Sequence, residues 1–597
     1  MCRIAGIINQ SIPIEELNLK VREMCNILKH GGPDDEGFYT CAEHHLVLGH
    51  RRLALIDLSP GGHQPMAYAD KRYWITYNGE LYNYLEIKAE LVKAGYTFKT
   101  ASDTEVILAA FAAWGTNSFR RFNGMFAFAL WDEKEETVYL VRDASGIKPL
   151  YFGITDEGLA FASEIRGFAP LPYLREKNPD WPVFLLAYGH LPEPITTLKA
   201  VRPLHKGSFL RYVVPTKKWD IESFAFYSYI EKIDNPEQAE REIRDCLLKA
   251  VERHLISDAP IGVFLSGGID SGIIALLARQ THQSDLKTLS IIFEEEKYSE
   301  KKYQDLFLEK LNCPNWQEIL NEQEFQNNFP GIIKAMDMPG CDGINTWFIS
   351  KYARESGLKA VLSGIGGDEL FGGYPSFKRM EAVHWIEKLP RKALRAGRYS
   401  VSKKLRRMAY LSLGGAKGFY LFLRGQYIPK TIAEQLGTHE KEVWNILEQQ
   451  PELDDISYLS PFNQASWIEM NMYMQNQLLR DSDVMSMAHG IEIRVPLLDR
   501  EFVQLALRIN SQTKNSSGVS KKLLIDSFKK ELPRAVWDRP KMGFTFPFAE
   551  WLKKSEFVKA TIHADGKRSL AIYKKFYDGQ MHWSQLMSLL LLNLYEN

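Results

Sequence analysis

The stretch "IGVFLSGGIDSG" at 261–272 constrains this chain more than any other. A short apolar strand runs into Ser266-Gly267-Gly268, and a helix is expected to start near Asp270 and Ser271. Paired glycines let the backbone turn sharply and aim its N–H groups at one point. The helix N-terminus adds partial positive charge there, and Ser266 and Ser271 add hydroxyl donors. Together they form a cradle for phosphate or pyrophosphate. Asp270 would repel a bare phosphate, so a magnesium ion between the two is expected. The plainer alternative is a strand–turn–helix link with a serine cap, but the full Ser-Gly-Gly-x-Asp-Ser order favours a nucleotide. The G-x-x-x-x-G-K-S/T pattern is missing, so the loop suits ATP cleaved between its α- and β-phosphates.

The neighbourhood of this loop predicts its fold. Helical patterns fall at 236–255, 271–281, 300–311 and 346–356, with short apolar strands at 261–265, 288–293 and 360–364. Such alternation predicts a parallel α/β sheet with helices on both faces and a ligand at the strand C-termini. Residues 1–210 differ: short apolar runs ended by turn residues read as strands, with helices at 15–29, 84–95 and 103–114. Ser102 followed three residues later by Glu105 has the order of a capping box. A polar, proline-containing stretch separates the two textures. The expected division is therefore domain 1–212, linker 213–235 and domain 236–597.

The chain opens "MCRIAG". If Met1 is removed, Cys2 carries both a nucleophilic thiol and a free amine able to accept the thiol proton. An inert thiol at a frayed terminus is the alternative. Lys+Arg and Asp+Glu stand at 74 each, which argues against nucleic acid or an anionic membrane as partner. The six cysteines form no C-x-x-C and no zinc spacing, which fits a reducing, cytoplasmic setting. No apolar run is long enough to span a bilayer, and "LMSLLLLNLY" (586–595) reads as a buried C-terminal helix.

"SGGIDS" together with "SGIGGDELFGGY" (363–374) resembles the synthetase half of the glutamine-hydrolysing asparagine synthetases. The N-terminal half resembles their class II glutamine amidotransferase domain. Further matches follow in family order, among them "YNGELYN" (77–83), "SDTE" (102–105), "RDASGIKPLYF" (142–152), "IEIRVPLLD" (491–499) and "RPKMGFTFP" (539–547). The resemblance implies an N-terminal αββα sandwich of the N-terminal nucleophile type, followed by an α/β pyrophosphatase-loop domain with a helical extension. It implies ATP and magnesium, with glutamine and aspartate as substrates. Ammonia released at Cys2 would pass through an internal tunnel to a β-aspartyl-adenylate, giving asparagine, glutamate, AMP and pyrophosphate. A homodimer is common in the family.

The resemblance also assigns roles. Cys2 is the nucleophile, and Asn78 and Gly79 form the oxyanion hole. Arg52, with Leu53, Ala54, Leu55 and Ile56 beside it, binds glutamine together with Asn78, Gly79, Glu80 and Asp103. Without the family, Asn78-Gly79 would read as a hairpin turn and Asp103 as helix N-terminal charge. In the second half, Leu265, Ile291, Ser363 and Gly364 match adenosine-holding positions, alongside Ser266, Gly267, Gly268, Asp270 and Ser271. Asp270 and Asp368 match magnesium carboxylates, Glu369 the general base, and Lys541 the lysine facing pyrophosphate. Arg494 is expected to support the site rather than react.

Two departures stand out. The family begins Met-Cys-Gly and reads His-Arg-Gly-Pro-Asp; this chain has Arg3 and, in "HGGPD" (30–34), Gly31 in place of that arginine. Arg3 is expected to fill the guanidinium space vacated at Gly31. The acceptor region, "MPGCDGINTWFIS" (338–350), "GGYPSF" (372–377) and Ile525, also differs. It leaves open an amidotransferase acting on another carboxylate, such as a sugar acid or peptide.

Overall fold

The computed structural model describes residues 2–281, 286–400, 402–451, 453–516, 518–539, 546–564 and 567–596. The N-terminal half is a sandwich of two six-stranded antiparallel sheets. The central strand of the first, Arg3–Asn9, is buried at every position, since it pairs with Leu46–Arg52 on one side and Gly158–Ala162 on the other. The second sheet runs through Tyr73–Leu81, Gly124–Asp132 and Thr137–Arg142. The helix Ile14–Ile27 buries Leu17, Val21, Met24 and Cys25 against the first sheet, and Asp103–Trp114 covers the second. The resulting layers are helix, sheet, sheet, helix, as expected.

Ser102 caps the helix Asp103–Trp114 by accepting from the Thr104 amide. Glu105 does not close the box onto Ser102. Its carboxylate accepts from the Lys99 and Thr100 amides instead, tying down the loop before the cap. The strand Lys218–Ser223 falls inside the stretch expected to be linker, and pairs with Ser208–Val213.

The C-terminal half is built on a parallel sheet ordered Asn315–Leu320, Lys287–Phe293, Ile261–Phe264, Ala360–Leu362, Glu492–Arg494. The strand that feeds the glycine loop is central, so both that loop and the one after Ala360–Leu362 open at the same sheet edge. Helices fill most of the rest. Trp583–Glu596 buries Leu586 and Leu589–Leu592, as its apolar run predicts.

Arg3 joins the halves. It is fully buried, with Nε 2.6 Å from Glu164 and Nη1 3.0 Å from Asp483 on the C-terminal helix Arg480–Met487. Lys148 shares Asp483 at 2.8 Å, and His30 and Arg166 share Glu164. Burial alone would raise both carboxyls; Arg3 and the neighbouring cations hold both below their ordinary values instead. A Cβ built on Gly31 would lie 2.7 Å from Arg3 Cγ and 2.9 Å from its Nε. Arg3 thus occupies the space beside residue 31, and its ion pairs prevent it from yielding.

Gly31→Ala should therefore lower stability by about 1–3 kcal/mol, and Arg3→Gly in the same chain should remove the overlap; thermal unfolding of the single and double variants checks this. The cluster's contribution is complete above about pH 4.5, the unfolded carboxyl range, and is lost as pH falls through the depressed folded values. The unfolding midpoint of the parent chain should drop below that pH, and that of Arg3→Met should drop less steeply.

Candidate active sites

The N-terminal site gathers at the end of the central strand. Cys2 is buried, its amide nitrogen 3.2 Å from Asn78 Oδ1 and its thiol 3.9 Å from the Leu53 carbonyl. Burial pushes the thiol up to about 11, against the lowering effect of the amino terminus, the Leu53 backbone and Arg52. Asn78 and Gly79 lie inside the strand Tyr73–Leu81 rather than in a hairpin turn. Gly79 adopts φ +156°, and a Cβ there would sit 2.2 Å from the Met125 carbonyl. Only glycine lets the neighbouring strand approach this closely. Asn78 is fully buried, yet its Nδ2 has no hydrogen-bond partner among the described residues. A buried orphan donor costs about 1–3 kcal/mol, which is tolerable where a ligand supplies the acceptor.

Arg52 is oriented by its own loop, donating to the Ser59 carbonyl at 3.1 Å and to that of Asp57. Leu53, Ala54 and Leu55 are buried beside it and Ile56 half-buried; the Ala54 amide donates to Asp34. Asp103 accepts from the Tyr77 hydroxyl and the Leu81 amide, both at 2.9 Å. Its burial outweighs those bonds and lifts its carboxyl to about 6. Glu80 is buried and faces Arg494 of the C-terminal half at 3.3 Å.

The second site is a cavity of about 1370 Å³ at the carboxyl edge of the parallel sheet. The helix Ile269–Thr281 begins inside the loop, with Asp270 in its first turn. Ser266 and Ser271 hydroxyls meet at 2.9 Å, and Gly267 takes φ +80°. A Cβ on Gly364 would lie 2.8 Å from the Ser271 amide, so the Ser363–Gly364 loop presses directly on the Ser266–Ser271 loop. The Leu265 carbonyl accepts from Ser290 Oγ and that of Ile291 from Gln304. Each keeps one lone pair for a ligand.

Glu369 sits in the short helix Gly367–Phe371, buried, with the Tyr374 hydroxyl donating to it at 2.8 Å. Burial first, then Asp368, raise its carboxyl to about 7. Asp270 and Asp368 both pair with Lys521 Nζ. Sequence reasoning missed this lysine, which stands on no motif and is brought in by a left-handed backbone turn at φ +56°. The shared ammonium shows that the two carboxylates converge on one point, a donor set that suits a hard divalent cation. No cluster of three or more possible metal ligands exists among the described residues, so water and phosphate would complete the shell. Lys541 lies outside the described residues.

Beyond Glu369 the cavity continues along Tyr374, Arg424, Tyr473 and Asp342. Arg424 is neutralised by Glu469 at 2.7 Å and stacks on Tyr473. All six cysteines are free, and no described helix is long and apolar enough to cross a membrane.

A glutamine amidotransferase domain model matches residues 1–224 and an asparagine synthase model residues 242–588. The chain is 32% identical to asparagine synthetase [glutamine-hydrolyzing] 1 of Bacillus subtilis, over 94% of this chain and 90% of that protein. It is 28% identical to asparagine synthetase [glutamine-hydrolyzing] 3 of the same organism, over 94% and 91%. With asparagine synthetase B [glutamine-hydrolyzing] of Escherichia coli K12 it shares 27%, over 91% and 82%.

Removing the Lys521 ammonium leaves two convergent carboxylates without that counter-charge. Lys521→Ala should bind Mn2+ at least about tenfold more tightly than the parent in the absence of nucleotide. Titration followed by electron paramagnetic resonance measures this, and unchanged affinity would mean the carboxylates do not form a cation site.

Proposed function

This chain belongs to the glutamine-hydrolysing asparagine synthetase family, and from that premise we propose how its residues carry out the ATP-dependent, glutamine-hydrolysing ligation, with aspartate as the acceptor. Removal of Met1 frees the Cys2 amine to accept the thiol proton. The Cys2 sulfur attacks the amide carbon of glutamine, and the oxyanion is received by Asn78 Nδ2 and the Gly79 amide. Ammonia leaves, and water then releases glutamate from the thioester. Arg52 holds the substrate's carboxylate; Glu80 and Asp103 hold its ammonium. The domain division 1–212, 213–235 and 236–597 is part of this reading, as are a cytoplasmic setting and a homodimer.

In the second site, adenosine rests on Leu265, Ile291, Ser363 and Gly364, and the phosphates on the Ser266–Ser271 loop. The β-carboxylate of aspartate attacks the α-phosphorus and pyrophosphate departs. Bound magnesium supplies neutralising charge for the pyrophosphate, and Asp270 and Asp368 are the residues to hold it. Ammonia attacks the acyl-adenylate, Glu369 takes its proton, and AMP leaves. A small space of about 10 Å³ is bordered by Ile147, Leu479 and Val495 and by the Lys148 and Asp483 pair. Ile365, Ser482 and Ile493 border both this space and the large cavity, which supports passage of a molecule as small as ammonia.

The observation that carries the reading is the unpartnered Asn78 Nδ2 beside the Cys2 amide. The deciding experiment supplies glutamine, ATP and aspartate and measures asparagine, glutamate, AMP and pyrophosphate. Glutamine-dependent AMP release that needs some other carboxylate would sink aspartate as acceptor. A second reading, a larger carboxylate, is favoured by the continuation of the cavity past Glu369 along Tyr374, Arg424, Tyr473 and Asp342. The same assay on a carboxylate panel separates the two.

Asn78→Ala should lower kcat for glutamine hydrolysis by about 10²–10³-fold while synthesis from added ammonium chloride continues. With Glu369 raised to about 7, synthesis at a constant concentration of free NH3 should rise with pH through that value as the carboxyl ionises. Glu369→Gln should abolish the rise, and a profile identical in the variant would remove Glu369 as the base.

A further inference from the structure

The glutamine-binding end of the first site is completed by a residue of the second half. Glu80 is buried in acidic company: Glu492 and Asp103 both act on it, and the cation placed against it is Arg494. Arg494 is itself fully buried. Its Nε lies 2.5 Å from Glu492, and its Nη1 donates to the carbonyls of His254 and Ile256 at 2.8 and 2.6 Å. That leaves Nη2, at 3.3 Å, for Glu80. The main chain of the same residue faces the other way. The Arg494 carbonyl accepts from the Ser363 amide at 2.8 Å, next to the contact with the Ser266–Ser271 loop. One residue thus touches a carboxylate of the first site through its guanidinium and the nucleotide edge of the second through its backbone.

We infer that Arg494 is a positioning residue for glutamine: it stabilises the Glu80 carboxylate that receives the substrate's ammonium, so the glutamine pocket is complete only when the two halves are docked. The inference rests on Glu80 binding that ammonium, as proposed above. Its physical basis is charge balance. Burial, Glu492 and Asp103 hold the Glu80 carboxyl well above its ordinary value, towards the neutral form that could not hold a cation; Arg494 and the amino terminus limit that rise. The remaining titratable groups facing Glu80 are the Cys2 thiol and the Tyr77, Tyr82 and Tyr84 hydroxyls, all of which burial keeps neutral near pH 7. None of them can replace the guanidinium. A backbone tether to Ser363 means that movement of the nucleotide loop also moves the guanidinium.

The test is the KM for glutamine, which does not depend on how much of a sample is folded. The full-length chain is first assayed for glutaminase activity; absence of that activity would fail the proposed function rather than this inference. Arg494→Met should raise KM for glutamine by about 10- to 100-fold, with a smaller change in kcat. In both proteins KM should fall as pH rises and Glu80 ionises, and without the guanidinium that fall should be displaced to higher pH. Arg494→Lys should recover part of the affinity. In a Glu80→Gln background, Arg494→Met should add nothing further to KM. Additive effects of the two changes, or an Arg494→Met KM equal to the parent's across the pH range, would overturn the inference.

Discussion

A guanidinium with no solvent exposure, shared between carboxylates of two halves of one chain, is the constraint around which this molecule is arranged. Burying an isolated charge costs several kcal/mol, and only close, well-formed pairing offsets it. Arg3 meets that condition with Glu164 from the sandwich and Asp483 from the helical region, reinforced by Lys148, His30 and Arg166. The residue directly before it is Cys2, the proposed nucleophile. Separating the halves would strand Arg3 and Asp483 together, so the position of Cys2 depends on contacts made far along the sequence.

The same logic repeats at the second bridge. Arg494 sits among Glu80, Glu492 and two carbonyls, again at the seam. Both seams place cations of one half against carboxylates of the other, beside reactive groups whose own charge matters. Burial acts on each site in a direction its chemistry can use. It keeps the Cys2 thiol protonated at rest, lifts Asp103 to about 6 and holds Glu369 near 7. The roles proposed for Glu369 as base and Cys2 as nucleophile with a built-in proton acceptor both accord with low polarity around them.

Much of this was legible in residue order. The strand into Ser266-Gly267-Gly268 and the helix after it could be read from apolar runs and glycines, because local geometry decides them. The parallel sheet followed from strand–helix alternation, and the C-terminal helix from its leucines. What stayed hidden is tertiary. Lys521 carries no pattern, yet it bridges two carboxylates 251 positions or fewer upstream. Glu105 looked like a capping partner and instead bonds the loop before the cap, while the Ser102 amide donates to Thr100 Oγ1. Asn78-Gly79 had the dipeptide of a turn but lies within a strand, where close packing on Met125 and Phe126 overrides local preference. Lys218–Ser223 looked irregular because an edge strand exposed on most positions lacks the apolar alternation that marks a buried one.

The overlap at residue 31 reaches into ancestry as well as stability. Because a side chain at 31 and the arginine at 3 claim the same volume, the two positions cannot drift independently. Either replacement alone passes through a crowded or hollow intermediate, so the exchange survives only as a linked pair.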